Sequence, residues 1–171
     1  MSRGVEVMIL YHPAYDVHHC TYRVLNILNS VDGKKLKKEA LKLIDYYYVY
    51  PHLLKRVSKL PRPLNFHKKK ISAVPEPFEI TPNPKSLYFE LVTTHDTTLV
   101  SLSQKSLISR SDDEIALNVE LLPQSLVDAF DADEFSKSDF FLMLIASFPK
   151  VNLNGVNGFK SRSGLMEYRY G

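Results

Sequence analysis

Asp16-Val-His-His-Cys-Thr-Tyr-Arg-Val-Leu-Asn-Ile-Leu-Asn-Ser30 and, after a short basic break, Leu41-Lys-Leu-Ile-Asp-Tyr-Tyr-Tyr-Val-Tyr-Pro51 decide how this chain folds. In the first stretch Val17, Cys20, Val24, Ile27 and Leu28 recur at helical spacing and share one face. Asp16 is suited to cap that helix, because its carboxylate can accept an orphan amide N–H of the first turn. Asp32-Gly33 then stops it. The run Lys34-Lys35-Leu36-Lys37-Lys38 is expected to open a second helix, with Leu36, Ala40, Leu43, Ile44 and Tyr47 on its inner stripe. That helix should end before Pro51, since the residue ahead of a proline is biased away from helical geometry. His52–Val57 is expected to add one further turn. Asp16 and Arg23 lie two helical turns apart on one face, and Arg23 is expected to form a structural ion pair with Asp45.

On the N-terminal side, Val5–Tyr11 reads as a short strand or arm ended by Pro13. On the other side, residues 58–84 hold prolines at 61, 63, 75, 77, 82 and 84 around His67-Lys68-Lys69-Lys70. This reads as an extended linker or wrapping arm. Pro84 starts a helix running to about Leu107, with Leu87, Leu91, Val92, Leu99 and Leu102 on its stripe, interrupted by His95, Thr97 and Thr98. Leu107-Ile108 and the alternating Ile115, Leu117, Val119 and Leu121 predict a hairpin turning at Ser111-Asp112-Asp113. A short helix at Gln124–Asp131 and a more apolar one at Lys137–Phe148, stopped by Pro149, lead into a turn-rich tail. The expectation is one domain, mainly α with a small β-hairpin: a winged-helix-like helical domain with a Pro-rich arm. Its parts are a helix pair (5–57), the basic arm (58–84), a helix plus β-ribbon (85–122) and C-terminal helices with the tail (123–171).

The composition fits that reading. A chain of 171 residues can bury a real core. No apolar run approaches the ~20 residues needed to cross a bilayer, and no leader precedes Val5, so a cytoplasmic protein without membrane contact is expected. The single cysteine, Cys20, excludes an internal disulfide framework. Charge is sorted along the chain. Residues 1–75 carry 14 Lys and Arg against 5 Asp and Glu, whereas residues 76–171 carry 8 against 14. Such polarity suits two unlike surfaces, one of them for a phosphate backbone or an acidic partner; solvated helix faces that sort by position account for it equally well.

Few residues are placed for chemistry. His12, His18, His19 and Cys20 invite a zinc reading, but only one thiol exists and adjacent His18 and His19 point about 100° apart on a helix. Cys20 is better explained as a member of the apolar stripe. Cys20 as a nucleophile with His52 or His95 as base has no local signature behind it. Phosphate-binding glycine loops, dinucleotide fingerprints and paired-carboxylate nuclease cores are missing; Asp112-Asp113-Glu114 reads as a solvated hairpin tip. No cofactor, metal or catalytic set is expected, hence no enzyme. The basic groups carry more. Lys34, Lys35, Lys37 and Lys38 would span over half of a helix circumference, and Lys68, Lys69 and Lys70 sit on an arm able to follow double-stranded DNA through salt-dependent, sequence-independent contacts. Both sets serve equally well as solubilising charge. Tyr46, Tyr47, Tyr48 and Tyr50 sweep a helix circumference, so at least one or two should meet a partner or solvent, and tyrosine suits an interface, with His52 beside them.

In combination, Tyr11-His-Pro-Ala-Tyr-Asp16, Arg23, Ile44-Asp-Tyr-Tyr47, Pro51-His-Leu-Leu54 and the closing Gly-Leu-Met-Glu-Tyr-Arg-Tyr resemble the middle component of three-component ABC systems. That group supplies the small accessory subunit of Lamassu-type anti-phage defence complexes. The resemblance implies a small winged-helix-like, kleisin-like subunit that associates with a coiled-coil ABC ATPase of the SMC or Rad50 kind. It also implies an effector nuclease as the second partner and carries no catalytic residue over. Two other classes compete with this adaptor: a free-standing winged-helix DNA-binding regulator, and a small hydrolase built on Cys20 and a histidine.

Overall fold

The computed structural model describes residues 16–166. The Val5–Tyr11 strand, His12, most of the Tyr11–Asp16 motif and the closing Tyr168-Arg169-Tyr170 lie outside the described residues. Helix α1, Val17–Ser30, starts where the capping residue predicts: the His18 amide donates to Asp16 Oδ1 at 3.0 Å, and Val31 ends the helix in extended geometry. Gly33 then turns the chain at φ 73°, in the left-handed region where a missing Cβ removes the steric cost.

The lysine run does not continue as a helix. Lys35–Lys37 forms strand β1 and α2 begins only at Lys38, running to Val49. β1 lies antiparallel to β3 (Glu114–Leu117), with Leu36 opposite Ile115, and β3 in turn pairs with β2 (Ile108–Ser111). The sheet is therefore three-stranded, in the order β1-β3-β2, rather than an isolated hairpin. Strand geometry sends alternate side chains to opposite faces, which buries Leu36 and leaves Lys35 and Lys37 in solvent. Val119 and Leu121 do not extend the ribbon; they lie in a 3₁₀ turn and are half exposed.

Between the helix pair and the hairpin, Pro51–Arg56 makes the expected extra turn in 3₁₀ form. The segment expected to be an extended arm is instead partly folded. Arg62–Asn65 (α3) and Lys68–Ser72 (α4) are short helices fastened by Leu64 and Ile71, both buried. Each such apolar burial stabilises by about 1.5–3 kcal/mol, enough to hold a turn of helix. Helix α5, Pro84–Gln104, is capped by Asn83, whose side chain accepts from the Lys85 amide at 3.0 Å. Ser106 at φ 60° ends it, with the Leu107 amide reaching back to the Leu102 carbonyl at 3.0 Å. Helices α6 (Gln124–Ala132), α7 (Asp139–Ser147) and α8 (Phe159–Ser163) complete the mainly helical fold. No described helix is long and apolar enough to cross a membrane.

α2 sits at the centre. It packs on α1, α5, α7 and the 3₁₀ turn Phe148–Lys150, and Leu41, Leu43 and Ile44 have no exposed area. A helix enclosed on every side need not be amphipathic. That decides where its tyrosines go.

Candidate functional site

Because α2 is surrounded, each of its tyrosines meets a different neighbour. Tyr46 packs edge-on against Tyr88 of α5, and its hydroxyl donates to the Pro84 carbonyl at 2.9 Å. Tyr47 packs against Phe148 and Phe159, both ring centroids 5.8 Å away. Tyr48 contacts Phe135 at 4.5 Å and Phe141 at 5.8 Å, and Tyr50 leans on Tyr46. Tyr46, Tyr47 and Tyr50 are buried and Tyr48 is half-buried. The candidate partner-binding rings are thus core residues, and burial drives the Tyr47 phenol far above its usual range. His52, also proposed as a contact, is buried, with Nε2 2.7 Å from Thr81 Oγ1; burial lowers its pKa.

Among the described residues the groups with catalytic potential do not converge. Cys20 has no exposed area, and desolvation pushes its thiol up to about 12. His18 and His19 project into solvent, the latter pairing with Asp16 at 2.6 Å. His95 is buried with both ring nitrogens unpartnered, and desolvation takes its pKa down to about 4. Among the described residues no three His, Cys, Asp or Glu side chains gather in a metal-ligating group. Arg23 and Asp45 form the expected ion pair in the core.

The first lysine cluster is broken up by the strand. Lys34 donates to the Asn29 carbonyl, Lys35 lies 3.8 Å from Glu114, and Lys38 pairs with Asp96 at 3.2 Å. Lys37 points outward from β1 without an acidic partner among the described residues. These four do not form the continuous basic helix face that the sequence suggests. The second cluster is different. Lys68, Lys69 and Lys70 form most of α4, all three are exposed, and no acidic side chain pairs with them among the described residues. Beside them Phe66, 88% exposed, stands edge-on to His67 at the rim of an open hollow that the lysines line. Sequence reading passed over Phe66; an apolar ring two residues ahead of a lysine run was the available signal.

A second outward feature follows directly. Residues 75–83 have no regular secondary structure, and Phe78 and Ile80 are essentially as exposed as in an isolated chain, at 109% and 96%. The segment is nevertheless tied at both ends. Lys55 donates to the Val74 carbonyl at 2.6 Å and pairs with Glu76 at 3.2 Å, with Arg56 3.7 Å from the same carboxylate. At the far end Thr81 meets His52 and Asn83 caps α5.

No curated protein and no solved structure matches the chain. A family model described as ABC-three component (ABC-3C) system Middle Component 5 matches residues 9–171, and the chain therefore belongs to that family.

Proposed function

We propose that this protein is a non-catalytic accessory subunit of a Lamassu-type defence complex, joining an SMC- or Rad50-like ATPase to an effector nuclease and resting α4 on DNA. Family membership supplies the coarse part, an accessory role beside an ABC ATPase and a further component. The observation that supports the DNA contact is the unneutralised triplet Lys68, Lys69 and Lys70, set on a fastened helix with an exposed ring beside it. Lysines so placed displace counterions from a phosphate backbone without reading sequence. The sealed thiol of Cys20 and the scattered histidines support the absence of chemistry in this subunit.

Two measurements test the reading. Co-expressed with the neighbouring ATPase, the chain should co-purify with it; recovery solely as a monodisperse monomer overturns the adaptor role. Replacing Lys68, Lys69 and Lys70 together by Glu should weaken duplex binding and flatten its dependence on salt, each lost phosphate contact lowering the log–log slope by about 0.9. An unchanged slope removes DNA from the proposal.

The free-standing regulator draws support from one feature. Once the short α3 and α4 between α2 and α5 are set aside, the order α1-β1-α2-α5-β2-β3, with β1 laid against β3, resembles that of a winged helix. In such a protein the helix before the ribbon enters the major groove. That helix is α5, whose exposed side carries Glu90, without a basic partner among the described residues, and Asp96, paired with Lys38, among Thr93, Thr97 and Val100. Carboxylates facing phosphates oppose binding, so the adaptor is preferred. A saturable, sequence-specific footprint by the isolated chain would reverse the preference.

A further inference from the structure

We infer that the strap Pro75–Asn83 is the protein-docking element of this subunit, with Phe78 and Ile80 as its anchors. The partner we assign is an apolar groove with a cationic rim on the ATPase component. This rests on the accessory role above and replaces the buried tyrosines with a surface that is actually available. Large apolar side chains left entirely in water on an ordered segment mark interaction sites. Here order is imposed from three directions. Pro75, Pro77 and Pro82 fix φ along the strap. Lys55 and Arg56 clamp Glu76, and His52 with Asn83 secures the other end. A partner therefore meets a segment whose ordering entropy has already been spent in folding, which favours affinity.

The alternation Phe78-Glu79-Ile80 sets the recognition chemistry. The chain bends at Phe78 and Glu79, which sets the two apolar anchors on either side of one carboxylate at the tip of the strap. Phe78 and Ile80 fit adjacent apolar pockets. Glu79, without a basic partner among the described residues, calls for a basic group along the groove edge, where opposite potentials steer encounter and fix register. With Glu76 held by Lys55 and Arg56, the strap presents one uncompensated negative charge at Glu79, while α4, a few residues before it, is basic. One short stretch thus presents unlike surfaces, and a protein and a nucleic acid can be held at once.

The test uses the full chain and the purified ATPase component encoded beside it. Phe78→Ser with Ile80→Ser should leave the thermal midpoint unchanged, both side chains being outside the core, and weaken ATPase binding at least tenfold. Duplex affinity through α4 should stay within twofold. Glu79→Lys alone should weaken ATPase binding several-fold, by less at high salt than at low. If the wild-type chain binds the ATPase and the double variant binds equally well, the anchor assignment is wrong while the accessory role survives. If the wild-type chain does not bind the ATPase at all, both fall. If the substitutions instead abolish self-association in sedimentation equilibrium, the occupant is a second copy and the assignment to the ATPase is overturned.

Discussion

Arg23 of α1 grips Asp45 of α2 through two contacts, Nε to Oδ1 at 2.6 Å and Nη2 to Oδ2 at 3.3 Å, with Asp45 wholly enclosed. Burial by itself would depress the guanidinium, but the Asp45 charge and hydrogen bonding outweigh it and hold Arg23 above its usual pKa. Removing one partner strands the other charge in the core. Arg23→Met should therefore cost about 3–5 kcal/mol in urea unfolding. The double variant Arg23→Met with Asp45→Leu should recover much of that loss. A single substitution within 1 kcal/mol of wild type would show that the pair is not what locks α1 to α2.

His95 should make stability sensitive to mild acid. Its folded pKa is about 4 against an ordinary 6.5, because desolvation disfavours the imidazolium and Lys42 and Arg23 add to that, while Asp45 and Asp96 oppose it. A depressed folded pKa means that the unfolded chain binds the extra proton first. The stability is present in full above about pH 6.5 and is lost as pH falls towards 4, by roughly 3 kcal/mol. His52, also depressed, acts in the same direction. Glu39 is held low by Lys160 and its lysine neighbours against the opposing effect of burial, and its contribution is lost only at more acidic pH. His95→Met isolates the effect: its urea midpoint should vary much less between pH 7 and 5 than that of wild type. Parallel pH profiles for the two proteins would remove His95 as the cause.

Local signals in the sequence were read correctly where they determine structure alone. The Asp16 cap, the break before Pro51, the start of α5 at Pro84 and the Asp112-Asp113 turn all lie where adjacent residues dictate. The Arg23–Asp45 pair was legible too, since two charges on neighbouring apolar helices have few other solutions. What failed was non-local. Lys35–Lys37 has good helix formers, yet pairing with β3 far along the chain overrides propensity. The tyrosines of α2 were given a solvent side because an ordinary helix has one; nothing in their spacing reveals that α7 and the Phe148 turn close over it. For the outward surface, Lys68, Lys69 and Lys70 were visible but placed on an extended arm. Phe78 and Ile80 went unnoticed because exposure, unlike periodicity, has no local pattern.

Cys20 should be chemically silent in the native protein. The thiolate is the reacting species, and burial with Asp45 nearby leaves the thiol protonated across the physiological range. Ellman's reagent should label the native chain only as fast as the core opens, and label it at once in urea. Cys20→Ser should retain ATPase and DNA binding. Stoichiometric labelling within seconds in native buffer would restore the nucleophile reading.

Gly158 should be the least replaceable glycine among those described. A Cβ there would lie 2.4 Å from the Asn154 carbonyl oxygen and 2.8 Å from the Asn154 nitrogen, backbone atoms that cannot swing aside. The crowding is built in, because the Phe159 and Lys160 amides donate to the Asn152 and Leu153 carbonyls at 2.9 and 3.1 Å and draw the two segments together. This close approach seats Phe159 against both Tyr47 and Phe148. Gly158→Ala should therefore cost about 1–3 kcal/mol, as overpacking does, lowering the thermal midpoint by several degrees. Gly155→Ala is the comparison: its Cβ would meet nothing within 4 Å, so only its φ of +91° opposes the change. A Gly158→Ala midpoint equal to wild type would mean that the Asn154 turn yields freely, and that α8 is not held against α2 by this contact.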